Sequence, residues 1–245
     1  MTNIENIRPV GSFNRFYIGD FMAVADLVGA SANANTGIAF DRARRRIYIS
    51  SVQANIKMFS EDYRYLGEWP CSPSQGIAYD SVNDTIIGFT GKTTLITYNI
   101  NGIALNIQTI TLFGVNPGTA CYNENEDCLY LATTGTNIRR LIRGTGYDWV
   151  VDTDIPTANY FDGIGYDPNT KTIYYHTTTN KIRHIQMDGT TIRELNRTQI
   201  IGSNMESVAF NPFRNTLYCN YPGYYHGGQF NMNRCYELYP NYYAW

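Results

Sequence analysis

Lysine is nearly absent from this chain, with 4 residues against 15 arginines, and charged residues make up only 16% of its 245 positions. An average soluble domain carries about 25%, so neutral polar groups must cover much of the surface; 25 Asn and 21 Tyr are available for this. The formal net charge is −2. Without a basic excess, nothing favours nucleic acid or an anionic membrane surface as a partner. The single dense basic run, Arg44-Arg45-Arg46, is expected to be a solvated turn.

No stretch approaches 18 consecutive apolar residues, and residues 1–10 lack the basic end and apolar run of a secretory signal. The sequence therefore predicts no membrane insertion and leaves the compartment open, with a virion or the cytoplasm most compatible. The five cysteines, Cys71, Cys121, Cys128, Cys219 and Cys235, form no Cys-x-x-Cys pair. That removes support for zinc and thioredoxin-type chemistry. They are expected to be small buried thiols, with Cys121 and Cys128 on paired strands. A G-x-S-x-G elbow and a glycine-rich phosphate loop are both missing, and no segment carries a convincing helical pattern. The three histidines, His176, His184 and His226, are expected to be polar surface groups.

What the chain has instead is a frame repeated five times: an aromatic, then Asp or Asn, five turn-like residues, then Ile or Leu. The copies are Phe40-Asp41 to Ile47, Tyr79-Asp80 to Ile86, Tyr122-Asn123 to Leu129, Tyr166-Asp167 to Ile173 and Phe210-Asn211 to Leu217. Successive aromatics lie 39, 43, 44 and 44 residues apart. A fixed period of about 40 residues marks a propeller or array.

Each unit reads as four strands. In the first, residues 37–40 form an apolar run of the kind buried on both faces. Residues 46–52, 55–59 and 65–69 follow as further strands. Position 16 after the aromatic stays apolar in Ile56, Leu95, Ile138 and Ile182; in the fifth unit the equivalent is expected at Phe230, with Cys235 to Tyr239 as the outer strand. Gly37, Gly76, Thr119, Gly163 and Ser207 open the first strands, where converging backbones exclude large side chains. The Asp or Asn of each frame is expected to accept turn N–H groups and is not read as catalytic.

The fold expected is all-β, a β-propeller of five four-stranded blades, with six blades as the alternative if the N- and C-terminal segments share the last. Residues 36–245 would form the propeller. Residues 1–35, with strand-like runs at 15–18 and 23–28, would pair with an edge or close the ring.

The fourth unit resembles the YWTD, NHL and SMP-30-like group of propellers. Its Ile173-Tyr174-Tyr175-His176 sits where YWTD repeats carry their signature. Asn180-Lys181-Ile182-Arg183 and Met187-Asp188-Gly189-Thr190 are similar to their third strand and turn. The Trp-Thr-Asp part is absent from every copy, and those relatives usually have six blades. In size the chain resembles five-bladed lectins of the tachylectin type, although none of their sugar-binding motifs matches.

Two sets of residues are candidates for function. The residue before each first strand (Thr36, Gln75, Gly118, Asp162, Glu206) faces the channel mouth in this architecture. Asp162 and Glu206, with Gln75 and Asn204 near, offer hard oxygens to a Ca²⁺. Resemblance to SMP-30-like lactonases implies a metal-dependent lactonase or lyase there as the alternative function. The second set is aromatic: Tyr221, Tyr224, Tyr225 and His226 in a turn-rich insertion, and Tyr242, Tyr243 and Trp245 in the tail. Tyr and Trp give large contact area at low entropy cost. The leading expectation is a recognition or scaffold module without catalysis or cofactor. It would bind a protein or glycan as a structural or attachment component of a virus or phage particle or other large assembly.

Overall fold

In the computed structural model the described residues are 21–26, 35–51, 54–72, 76–91, 93–110, 117–133, 136–157, 161–177, 181–196, 207–221, 225–226, 229–230 and 234–238. All their regular structure is β. Strand β1 covers Phe21–Asp26. The first blade is β2 (Asn35–Asp41), β3 (Arg46–Ser51), β4 (Asn55–Ser60) and β5 (Tyr65–Pro70). The second is β6 (Gly76–Asp80), β7 (Thr85–Thr90), β8 (Thr94–Asn99) and β9 (Ala104–Thr109). β10 (Pro117–Asn123), β11 (Cys128–Thr133), β12 (Asn137–Arg143) and β13 (Trp149–Pro156) make the third. β14 (Phe161–Asp167), β15 (Thr172–Thr177), β16 (Lys181–Ile185) and β17 (Thr191–Asn196) make the fourth. Then come β18 (Ser207–Asn211), β19 (Thr216–Tyr221), the short pair β20 (Tyr225–His226) and β21 (Gln229–Phe230), and β22 (Arg234–Leu238).

Four sheets are antiparallel meanders of consecutive strands. The fifth runs β18-β19-β22-β1 and so joins both ends of the chain. Val24 lies opposite Tyr236 and Ala25 opposite Cys235; Cys219 also lies opposite Tyr236, from the other side. This corrects two expectations. The stretch around Cys235 is the third strand of its blade, not the outer one, which is Phe21–Asp26. Phe230 belongs to the β20–β21 hairpin, because the insertion after β19 pushes the third strand eight residues or more further on.

The first strands β2, β6, β10, β14 and β18 pack side by side, and β18 packs in turn against β2. That closure leaves no gap for a sixth blade. Every described side chain of β6, β15 and β18 is buried, whereas the outer β9 is mostly exposed. Burial thus falls from the axis outward, as expected when each sheet hides its faces only against its neighbours.

The interfaces between blades repeat one contact. The frame aromatic of each unit packs on the residue eight positions after the aromatic of the preceding unit. Tyr79 stacks on Tyr48 at 6.3 Å, Tyr166 lies 6.1 Å from Tyr130, and Phe210 stacks on Tyr174 at 6.5 Å. Phe40 closes the ring against Tyr218. In the remaining interface the partner is aliphatic, with Ile87 and Tyr122 in one apolar cluster. Near the axis the backbones nearly touch. A Cβ on Gly163 would stand 2.4 Å from the amide nitrogen of Val208, and one on Gly165 2.6 Å from that of Phe210.

The turns repeat too. The frame Asp or Asn is buried in all five copies. Its Oδ1 accepts from the amide of Arg44, Val82, Asn125, Asn169 or Phe213 at 2.9–3.0 Å. Five positions after each aromatic the backbone is left-handed: Arg45, Asp84, Asp127, Lys171 and Asn215 have φ of 49–57°. This one turn, used five times, builds the end of the molecule where an axial cavity opens.

Candidate functional site

Residues from all five blades line a cavity of about 220 Å³ on the ring axis. The frame supplies it three times over. The residue before each aromatic is small (Ala39, Ala78, Cys121, Gly165, Ala209) and forms the inner wall. The aromatics Phe40, Tyr79, Tyr122, Tyr166 and Phe210 stand around it. The second residue after each aromatic (Arg42, Ser81, Glu124, Pro168, Pro212) makes the rim. Arg42 and Glu124 are the charged residues of this lining.

That charge is an ion pair. Arg42 Nη1 donates to Glu124 Oε1 at 2.7 Å, with both side chains partly exposed. Arg42 follows β2 of the first blade and Glu124 follows β10 of the third. The pair thus spans two blades that are not neighbours in the ring, where β2 and β10 approach each other.

In the neighbouring turns two arginines hold carboxylates of adjacent blades. Arg44 holds Asp84 through two 2.6 Å bonds and Asp41 through one of 3.0 Å. The arginine run is thus partly an inter-blade clamp rather than a solvated turn. Arg143 donates to Asp127 at 2.7 Å and to the buried Asp80 at 2.9 Å, with its guanidinium 4.5 Å from the centre of the Trp149 ring. Arg44 and Arg143 hold the Asp84 and Asp127 carboxyls below the usual carboxylate range.

The phenols of the cavity are not free bases. Tyr79 and Tyr122 donate to Asp84 and Asp127, each at 2.8 Å, and Tyr166 accepts from Asn125 at 3.2 Å. Burial first, and then the neighbouring carboxylates, push the Tyr79 and Tyr122 phenols up. Burial also raises the Cys121 thiol well above its ordinary value. These groups are therefore held in their protonated forms.

Few of the residues singled out from the sequence fall within the described residues. Asp162 is in β14 at the opposite end of the first strands; Gln75, Asn204 and Glu206 are outside the described residues. Among the described residues no three of His, Cys, Asp and Glu are grouped as a metal site. Tyr221 ends β19, and Tyr225 with His226 forms β20, while Tyr224, Tyr242, Tyr243 and Trp245 are outside the described residues. Two histidines depart from expectation: His176 and His184 are buried, since the second and third strands of the fourth blade are enclosed by neighbours. Cys71, Cys121 and Cys128 are free thiols.

No protein-family model matches the sequence, and neither does any curated protein. Solved structures do match. One is a chain from the crystal structure of a nidogen–laminin complex. It is 15% identical, covers 77% of this chain and 72% of its own length, and aligns with a TM-score of 0.55. At that identity the likeness concerns the fold, which is a β-propeller in both.

Proposed function

We propose that this propeller is a non-catalytic recognition module whose partner is a protein. The observation that carries the reading is an apolar stripe on an open edge. Leu105 and Ile107 on the outer strand of the second blade, and Ile103 just before it, are 41%, 67% and 62% exposed. Among the described residues β9 has no strand on its outer side, the position an added strand would take. An exposed apolar row beside unpaired backbone is a surface that a monomer normally hides, and strand addition is a recurrent way to cover it. The related solved chain comes from a complex between two proteins, which accords with this reading. The Lys-poor, Asn- and Tyr-rich composition suits a structural or attachment component of a virus or phage particle. In that setting Tyr221, Tyr224, Tyr225, His226, Tyr242, Tyr243 and Trp245 would offer a second, aromatic contact for protein or glycan.

The test is comparative. Cross-linking and mass spectrometry identify a protein held by the wild-type chain. An Ile103→Asn, Leu105→Asn, Ile107→Asn variant should lose it while melting at nearly the same temperature, because these side chains are mostly solvated already. A Tyr224→Ala, Tyr225→Ala, Trp245→Ala variant probes the aromatic contact. If both variants retain the partner at wild-type level, the reading fails.

A further inference from the structure

We propose that the axial cavity is a binding site for a free α-amino acid with an apolar side chain. The inference is independent of the protein-binding reading and concerns a different face of the molecule.

Three observations lead to it. The inner wall is apolar and of small residues, Ala39, Ala78 and Ala209 among them, inside a cavity of about 220 Å³; that space suits one side chain of Leu or Phe size. The mouth carries one cation and one anion, Arg42 and Glu124, joined by a single 2.7 Å contact. Their side chains are 52% and 31% exposed, and an ion pair so exposed is cheap to open. The neighbouring carboxylates are held by Arg44 and Arg143, so Arg42 and Glu124 are the pair a ligand can exchange with.

Charge matching then selects the ligand. An apolar carboxylate entering the well would take Arg42 and leave Glu124 without its partner; an apolar amine would do the reverse. An α-amino acid satisfies both, its carboxylate receiving N–H donors from Arg42 and its ammonium donating to Glu124. Both charges and the side chain spring from one carbon. The head can therefore span the opened pair while the side chain descends between the rings. Polar or charged side chains would be desolvated against alanine without compensation.

Calorimetry with the full chain tests this, using L-phenylalanine, L-leucine, glycine, phenylacetate and phenethylamine. Phenylalanine and leucine should bind. Phenylacetate and phenethylamine should each bind about tenfold more weakly or not at all, since each forfeits one charge-assisted bond. Glycine should not bind detectably. Arg42→Gln and Glu124→Gln should each weaken phenylalanine by about tenfold or more, and Ser81→Trp at the rim should block it. Should a variant fail to fold, the ligand series on the wild-type chain decides alone. No heat with phenylalanine or leucine, or phenylacetate or phenethylamine equalling phenylalanine, overturns the proposal.

Discussion

Phe40 and Tyr218 meet edge to face, ring centroids 5.9 Å apart, where the last blade closes on the first. They share this interface with Ile38, Ile47, Ile49, Phe59 and Ala209. It differs from the other four interfaces because its two sides come from opposite ends of the chain. Tyr218→Ala deletes a fully buried ring and should cost about 3–5 kcal/mol. It should also expose β1 first to exchange, since β1 is held through β22 on that blade. Chemical denaturation and hydrogen exchange measure the two effects. A loss under about 1 kcal/mol would mean that the closing interface does not depend on this pair.

Arg143 joins the second and third blades. It pairs with Asp80, which is 1% exposed, and with Asp127, and it stacks on Trp149. Arg143→Leu would strand a buried carboxylate, an effect of about 3 kcal/mol or more. Lysine should rescue little, since it lacks the planar fork that reaches both acids and the ring. NMR titration should find the Asp127 carboxyl, which Arg143 now holds low, moved upward in the leucine variant. An unmoved Asp127 would show the contact to be absent in solution.

Much of this architecture is visible in the sequence because each unit solves the same local problem. The Asp or Asn of the frame is read as a turn acceptor, and in all five copies its Oδ1 accepts a turn amide. The partner of each aromatic was equally open to view. Tyr48, Tyr130, Tyr174 and Tyr218 recur eight positions on, with Ile87 as the exception. The completion of the fifth blade is another matter. β1 joins β22 through backbone bonds, and an outer strand leaves no spacing pattern that names its partner. The insertion after β19 hides the true third strand by breaking the period. The axial cavity lies at the end of the first strands where the frame turns are, which the residues preceding those strands do not mark. The small residue before every aromatic, Ala39, Ala78, Cys121, Gly165 and Ala209, was the signal for that end. Glu124 and Arg42 could not be paired from sequence, since only the closed ring brings blades one and three together.

Gly165 tests how tightly the axis is packed. Its neighbours across the ring are the backbone of Ala209 and the amide of Phe210, at 2.6–2.9 Å from where a Cβ would stand. Backbone cannot rotate aside as a side chain can. Gly165→Ala should therefore destabilise by about 1–3 kcal/mol through forced displacement of β14 from β18, small as the added methyl is. The same substitution at Gly146, with φ of 64° and open space around its Cβ, carries only the left-handed backbone penalty of about 1–2 kcal/mol. Crystal structures of the two variants separate the cases: a shifted inner strand is expected only for Gly165→Ala, and an unshifted strand would mean the axis has slack.

His184 makes stability depend on pH in a defined window. Its Nε2 lies 2.7 Å from Thr172 Oγ1, and its ring stacks on Tyr174 with centroids 4.1 Å apart. Burial, and then the charge of Arg193, lower its pKa from 6.5 to about 4. The folded chain thus holds the neutral ring where the unfolded chain already takes up a proton. Above pH 6.5 neither state binds it and the full stability is present. As pH falls from 6.5 towards 4 the unfolded state gains, and about 3 kcal/mol is lost in total. Carboxylates such as Asp84 and Asp127, held low by arginines, add their own loss at more acid pH, so the histidine is isolated by difference. His184→Phe keeps a ring against Tyr174 and removes the titration. Denaturation of both proteins from pH 7 to 4.5 should show the wild type falling more steeply, the gap between the curves changing by about 2 kcal/mol. Parallel curves would place a protonated imidazole, or an accessible one, in the fourth blade.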